Sequence, residues 1–340
     1  MHICIVGGIF DKPADYRVRH SISPETVLAG GLSQRGWRVT LAGHSAPLPP
    51  GDFDLVHVHH FGRAALRLAA ASRRPPFILT THDPFAMNGL PVGWRRRLTD
   101  SLVLRSADAL VTLSHAERDF LVHRWRLPHE HIAIIPNGID SAVFNRIAGP
   151  APPDNHLLLF VGQLQPFKGL DYLLSALHAV RGRFPGVRLQ IVYQTGALLD
   201  QYRRLTTRLG LDDAVEFTGA ETAAGLARLY SAAAVVVSPS LGECLSTVVL
   251  EAMCCGAAVV ATDVGGIREQ LDADTGVIVP PRDGAALARA ICQLLADPDR
   301  RRRLGQAACR KARAEFSVRQ MIDRHVRLYE ELLKIDARAA

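Results

Sequence analysis

The residues best suited to chemistry lie in one run, Pro239–Glu269, which reads PSLGECLSTVVLEAMCCGAAVVATDVGGIRE. The pattern predicts a strand ending at Ser238, a short loop carrying Glu243, and a helix starting near Ser246, which can cap it. The helix should stop near Gly256, a good residue just past a helix end. Such a loop and helix N-terminus present free backbone N–H groups and the positive end of the helix dipole, a ready site for a diphosphate. Glu243 then sits on the loop and Glu251 well inside the helix. Ionised, each accepts hydrogen bonds only, which suits the hydroxyls of a sugar beside a bound phosphate. Lys168 stands at the start of another expected helix, where a cation opposes the dipole. His57, His59 and His60 form HVHH at a strand end. His57 and His59 share one face, but no acidic third ligand is nearby, so no metal site is expected.

These residues must be positioned by a scaffold, and the apolar runs say which. In the first half, strands are expected at Ile3–Gly7, Arg38–Ala42, Leu55–His59, Phe77–Thr80, Ala109–Thr112 and Ile132–Ile135. They are continuous rather than alternating, as in a parallel sheet covered on both faces. Helices are expected around Pro24–Arg35, Arg63–Ala71, Trp94–Arg105 and Ala116–His123. Gly149–Pro153 (GPAPP) then breaks the pattern. It restarts with strands at Leu157–Val161, Arg188–Val192, Val215–Phe217, Val235–Ser238, Ala257–Ala261 and Val277–Val279. Helices alternate with them, and a last one covers Val318–Leu333. The expected fold class is α/β: two Rossmann-like, doubly wound domains facing across a cleft, with ligands at the carboxyl ends of strands. The domains are 1–150, 151–316, and a terminal helical segment 317–340 that packs on the first.

Composition agrees with a folded enzyme. The 340 residues are 48% hydrophobic and 21% charged, enough for two cores and too apolar for a disordered chain. The net charge of +7 and pI near 9.3 favour anionic ligands, phosphates or acidic lipids, or simply an arginine-rich solvated surface. The six cysteines make neither a CxxC pair nor a disulfide framework, which fits a reducing cytoplasm. MHICIVGG enters a strand at once, so no signal peptide is expected. No apolar run reaches the roughly 18–20 residues of a membrane span. Peripheral membrane contact stays open, with Trp94-Arg95-Arg96-Arg97 as its candidate.

The run Glu243-x7-Glu251-Ala-Met-x-x-Gly256, followed by Val259-Val260 and Gly265-Gly266-x-x-Glu269, resembles the E-x7-E signature of the retaining glycosyltransferases of family 4. That family has the GT-B fold. Four further stretches agree in order: TTHD (80–83), SADALVTLSHAERDFL (106–121), IIPNGIDSAVF (134–144) and FVGQLQPFKGLDYLLSAL (160–177). The resemblance implies sugar transfer from a nucleotide-diphosphate sugar with retention and without a metal or other cofactor. It implies that Glu251 binds the ribose hydroxyls, Glu243 the transferred sugar and Lys168 the diphosphate. His82 would hold the sugar or the leaving phosphate, so the catalytic set is His82, Glu243 and Lys168. Gly7 and Gly8 would form a bare turn against phosphate, and Val215–Gly219, with Phe217 and Thr218, would line the base pocket. Gln163, Cys244, Leu245, Ser246 and Thr247 complete the expected donor site.

Two departures bear on this. The family has Gly-Phe-Gly where Cys244-Leu245-Ser246 stands, and Arg where Gln163 stands. Arg17, Arg19 or Arg268 is expected to replace the missing cation. The Gly-x-Gly expected after the second strand of this domain is Tyr193-Gln194-Thr195-Gly196. A uridine donor is the commoner case over guanosine or adenosine. The acceptor, a small molecule, glycan or lipid-linked species and not a nucleic acid, is expected to meet Asp11–Ser23 and Pro84–Gly93. The rival readings are a GT-B nucleotide-sugar epimerase or hydrolase, and a degenerate nucleotide-sugar-binding protein.

Overall fold

The structure, a computed structural model, describes residues 1–13, 23–82, 93–147, 156–194, 196 and 198–339. Arg17, Arg19, Asp83, Thr195, Gly149–Pro153 and most of the two expected acceptor loops lie outside the described residues. The chain forms two compact units, Met1–Gly138 with Val318–Ala340, and Ile139–Ser317.

The first unit is built from β1 (His2–Val6), α1 (Pro24–Gln34), β2 (Arg38–Ala42), β3 (Leu55–His59), α2 (Arg63–Ala70) and β4 (Phe77–Thr80). It continues through α3 (Trp94–Ser106), β5 (Ala109–Thr112), α4 (His115–Trp125) and β6 (Ile132–Ile134). Its strands form one parallel sheet in the order β2-β1-β3-β4-β5-β6. Every residue of β3 and β4 is buried, which is why these runs read as unbroken apolar stretches. Helix starts carry side-chain caps: Ser23 and Thr26 form a reciprocal capping box ahead of Pro24, and Ser114 Oγ accepts from Glu117 N. The strand order reverses at β1, the topological switch point of such a sheet.

The second unit holds β7 (Leu157–Val161), α5 (Leu170–Arg181), β8 (Arg188–Val192), α6 (Leu199–Arg208), β9 (Val215–Gly219), α7 (Ala223–Ala232) and β10 (Val235–Ser238). It goes on with α8 (Thr247–Cys254), β11 (Val259–Thr262), α9 (Ile267–Gln270), β12 (Val277–Val279), α10 (Gly284–Ala296) and α11 (Pro298–Glu315). The sheet order is β12-β11-β10-β7-β8-β9, all parallel, with the reversal at β7. β11 starts two residues later than expected, because Ala257 N closes α8 by donating to Ala252 O. β9 extends to Gly219 across a register shift against Ile191 and Val192.

The unit boundaries differ from 150 and 316. Ile139–Ile147 belongs to the second unit: Ile139 N donates to Phe316 O (2.7 Å), Arg146 Nη1 to Gly256 O (3.3 Å) and Ile147 N to Ser231 Oγ (3.1 Å). The terminal helix α12 (Val318–Ala339) belongs to the first unit. It lies so close to α1 that a Cβ on Gly31 would overlap Ile322 Cδ1, and Arg35 pairs with Asp323. Tyr329, fully buried, places its hydroxyl 2.5 Å from His57 Nδ1, and His57 Nε2 lies 2.7 Å from Thr80 Oγ1. Both nitrogens of a wholly buried imidazole are thereby satisfied.

Tyr329→Phe deletes one of those partners and keeps the ring. It should destabilise the first unit by about 1–3 kcal/mol, the cost of an orphaned buried polar group. Chemical denaturation followed by tyrosine-independent circular dichroism measures this; an unchanged midpoint would show that His57 does not depend on the phenol.

Candidate donor site and histidine layer

In the second unit, the chain after β7 runs through a short 3-10 turn, Pro166–Lys168, before α5. Gly169 follows with φ +66°, and a Cβ there would overlap the Pro239 carbonyl, so only glycine fits. Leu241 N donates to Phe167 O (2.6 Å), which ties this turn to the loop after β10. That double contact brings Lys168 Nζ to 2.6 Å from Glu243 Oε1, and Ser240 donates its hydroxyl to the same oxygen at 2.8 Å. Glu243 is buried and Lys168 largely so, its ammonium also 5.2 Å over the Phe167 ring. On the other side, a Cβ on Gly265 (φ +50°) would overlap the Glu243 carbonyl, and Gly266 N donates to Cys244 O (3.1 Å).

Ser246 occupies the N-cap position of α8, but its side chain makes no capping bond. The backbone of Ser246 is held instead by the fully buried Gln270 of α9, which accepts from Ser246 N (3.1 Å) and donates to Ser246 O (2.8 Å). An amide that both accepts and donates locks the backbone more firmly than the serine hydroxyl alone. Cys244, Leu245 and Ser246 are buried, while Thr247 at the first helical position is exposed.

Glu251 lies one helical segment further on, partly buried. Tyr230, itself fully buried, donates its hydroxyl to Glu251 Oε2 at 2.7 Å. Burial pushes the Glu251 carboxyl up to about 7, only partly offset by the Tyr230 hydrogen bond. The ligand-free carboxyl therefore titrates near neutrality.

Lys168, Glu243 and Cys244–Ser246 thus come together, with Glu251 on the same helix. Gln163 is exposed just past β7. Phe217 and Thr218 lie near the carboxyl end of β9: Phe217 sits edge-on to Tyr193 (6.5 Å) and Thr218 Oγ1 donates to Ile191 O (3.2 Å). Arg268 is a bidentate partner of Asp263 at 2.7 and 2.6 Å. Ser240, Tyr230 and Gln270 were not singled out by the sequence, since nothing in their spacing shows which carboxylate or backbone group they reach.

In the first unit, Gly7 N donates to Ala42 O (3.0 Å) and its backbone is extended, so of the Gly7–Gly8 pair this amide is not open to a phosphate. Glycine is needed there because a Cβ would stand 2.9 Å from Glu25 Cγ. Burial works against the Glu25 charge, but His60, 3.6 Å away, together with His59, His82 and a backbone hydrogen bond, holds the carboxyl well below the usual range. His82, at φ +43°, places Nε2 3.1 Å from His59 Nδ1. The rings of His57 and His59 lie tilted to each other at 4.3 Å and those of His60 and His82 at 4.5 Å between centroids, while His59 and His82 stack at 5.4 Å. Among the described residues no group of three histidine, cysteine or carboxylate side chains could hold a metal ion, and no helix is long and apolar enough to cross a membrane.

Comparison with known proteins gives this geometry its context. Residues 155–297 match the model of glycosyl transferases group 1, and residues 48–143 that of Glycosyltransferase Family 4. The chain is 32% identical over 296 residues to the D-inositol 3-phosphate glycosyltransferase of Streptomyces bingchenggensis, covering 80% of this chain and 64% of that protein. It is 34% identical over 296 residues to the same-named protein of Frankia alni, covering 80% and 72%. The chain thus spans about two thirds of the length of these relatives. Among solved structures, sucrose-phosphate synthase from Thermosynechococcus elongatus superposes with a TM-score of 0.83 at 22% identity, over 98% of this chain and 100% of that one. Anabaena HepE in complex with UDP-glucose gives 0.77 at 21%, over 97% and 100%. With the two parallel sheets, these matches establish the GT-B fold, and the chain belongs to glycosyltransferase family 4.

Proposed function

We propose that this protein transfers a glycosyl group from a nucleoside diphosphate sugar to a hydroxyl acceptor, with retention of configuration and without a metal ion. The observation that carries the reading is the Lys168–Glu243 pair beside the N-terminus of α8, with Glu251 inside the same helix. A diphosphate seated at the helix N-terminus would draw the Lys168 ammonium to its oxygens. Glu243, still held by Ser240, would then accept from a sugar hydroxyl. Tyr230 occupies one oxygen of Glu251 and leaves Oε1 to accept from ribose hydroxyls. Departure of the diphosphate builds negative charge, which Lys168 and the helix amides stabilise in place of a divalent ion. A uridine donor is favoured, in keeping with the UDP-glucose bound by the structurally similar HepE. The first unit would carry the acceptor.

The raised Glu251 carboxyl sets two opposite pH trends. Because its folded value lies above the ordinary 4.5, its contribution to stability is full below 4.5 and is lost as pH rises through about 7. Ligand binding needs the ionised acceptor, so nucleotide affinity should rise over the same interval. UDP should raise the melting temperature equally with and without EDTA, by up to about 2.7 kcal/mol of stabilisation at 100 times its dissociation constant. Glu251→Gln should abolish that shift and remove the affinity gain between pH 6 and 8. Loss of the shift on adding EDTA would contradict the metal-free site. If no nucleoside diphosphate shifts wild type, the donor site itself is refuted.

Lys168→Ala should lower kcat/KM for transfer about 10²–10³-fold, as removal of one transition-state donor does. Product anomeric configuration read by NMR tests retention. Free sugar released from donor at the same rate with and without acceptor would favour a hydrolase instead.

A lipid surface is the partner that α3 fits. Trp94, Leu98 and Leu102, at helical spacing, are 67%, 63% and 46% exposed, too open for core residues. Arg95, Arg96 and Arg97 flank them, with the Arg95 guanidinium 5.3 Å over the Trp94 ring. Apolar side chains rimmed by arginine suit an anionic bilayer. The protein should sediment with phosphatidylglycerol vesicles and not with phosphatidylcholine vesicles, and Trp94→Ser with Leu98→Ser should abolish sedimentation. Equal recovery of the double variant with anionic vesicles would exclude this face.

A further inference from the structure

The first unit gathers His44, His57, His59, His60, His82 and His325 around the carboxyl ends of β3 and β4. Nothing in the sequence says which nitrogen of His82 carries the proton. The surrounding hydrogen bonds decide it. Two of the neighbouring rings have their tautomer set by a carbonyl, which can only accept. His44 Nε2 lies 2.8 Å from His59 O, so His44 is protonated on Nε2. His325 Nδ1 lies 2.9 Å from Met321 O, so His325 is protonated on Nδ1. In each, the other nitrogen (His44 Nδ1, His325 Nε2) is buried without a partner. The orphaned atom is thus the lone pair in both, as expected when an unpaired buried N–H is the costlier state.

His59 presents the same situation without a carbonyl. Its Nε2 is buried and partnerless, and its Nδ1 is 3.1 Å from His82 Nε2. By the rule its two neighbours obey, the lone pair is on Nε2 and the proton on Nδ1. The proton between the rings then belongs to His59, and His82 Nε2 is the acceptor. Burial keeps His59 down at about 3 and His82 well below its ordinary value, so each ring is neutral at pH 7 with one N–H and one lone pair. His82 stays placed because its backbone is fixed at φ +43°, next to His60 at φ +68°, conformations that L residues hold only when their surroundings enforce them.

We propose that His59 is a positioning residue that fixes His82 in the Nδ1–H tautomer, so that His82 meets its substrate as a hydrogen-bond donor and not as a base. The substrate part of this rests on the glycosyl-transfer reading; the tautomer does not. As a donor, His82 suits an oxygen of the nucleotide sugar, either a sugar hydroxyl or a diphosphate oxygen. It could not take a proton from an acceptor hydroxyl through Nδ1.

The test is long-range ¹H–¹⁵N correlation NMR on the full chain with ¹⁵N-labelled histidine at pH 7.5, with His82 assigned by comparison with His82→Gln. Wild type should show His82 and His59 both protonated on Nδ1. His59→Leu should release His82 into a mixture of tautomers, and His59→Asn, whose amide nitrogen stands where Nδ1 stood, should restore the single form. His82 protonated on Nε2 in wild type, or an unchanged single tautomer in folded His59→Leu, would overturn the assignment. In transfer assays His59→Leu should lower kcat/KM about tenfold, the loss of one hydrogen bond, with recovery in His59→Asn. Weaker binding of the nucleotide sugar but not of UDP places a sugar hydroxyl on His82; weaker binding of both places the diphosphate. Unchanged binding of both, with unchanged turnover, refutes the donor role while the NMR still decides the tautomer.

Discussion

The candidate donor site depends on one short contact, the ammonium of Lys168 against the carboxylate of Glu243 at 2.6 Å. Taking both charges from water is costly, and such a pair is retained only where the backbone leaves it no alternative. Here two glycines enforce it. Gly169 lets the turn before α5 press on Pro239, and Gly265 lets the turn after β11 press on Glu243. A side chain at either would push the two loops apart and leave a buried charge without its partner. The pair is also a poor stability device, since an apolar replacement of like size would hold the loops as well. Its value is chemical: it keeps a cation and a carboxylate poised at the end of the sheet where an anion can exchange one partner for another.

Around that contact the other polar groups divide the work. Gln270 fixes the start of α8 through two backbone bonds, which keeps its amides aligned without a serine cap. Tyr230 holds one oxygen of Glu251 and so leaves a single acceptor direction. In the first unit, Tyr329 and Thr80 satisfy His57, and the His57 ring lies tilted against His59. The terminal helix, through one phenol, therefore supports the strand-end histidines from below.

Much of this was legible in the sequence. Arg38–Ala42, Leu55–His59, Phe77–Thr80, Ala109–Thr112, Leu157–Val161, Arg188–Val192, Val235–Ser238 and Val277–Val279 are strands at the limits expected, because short, largely apolar runs bounded by turn residues mark the strands of a parallel sheet. Glu243 and Glu251 stand out through a motif whose spacing is local, and Lys168 through a separate stretch at the start of the second unit. What the sequence does not show is anything decided by a distant partner. Ser246 looks like a cap, yet its side chain makes no capping bond, and its backbone is held instead by a glutamine 24 residues on. Gly7 looks like a phosphate turn, yet its amide donates to Ala42 O and a Cβ there would crowd Glu25. The short helix Ile267–Gln270 leaves no mark in the sequence, since four residues carry no periodicity.

The most direct measurement is a crystal structure of the protein with UDP. If the site works as argued, the diphosphate lies at the N-terminus of α8, Lys168 Nζ has left Glu243 for a phosphate oxygen, and the ribose hydroxyls contact Glu251. A nucleotide bound elsewhere, with the Lys168–Glu243 pair intact, would contradict it.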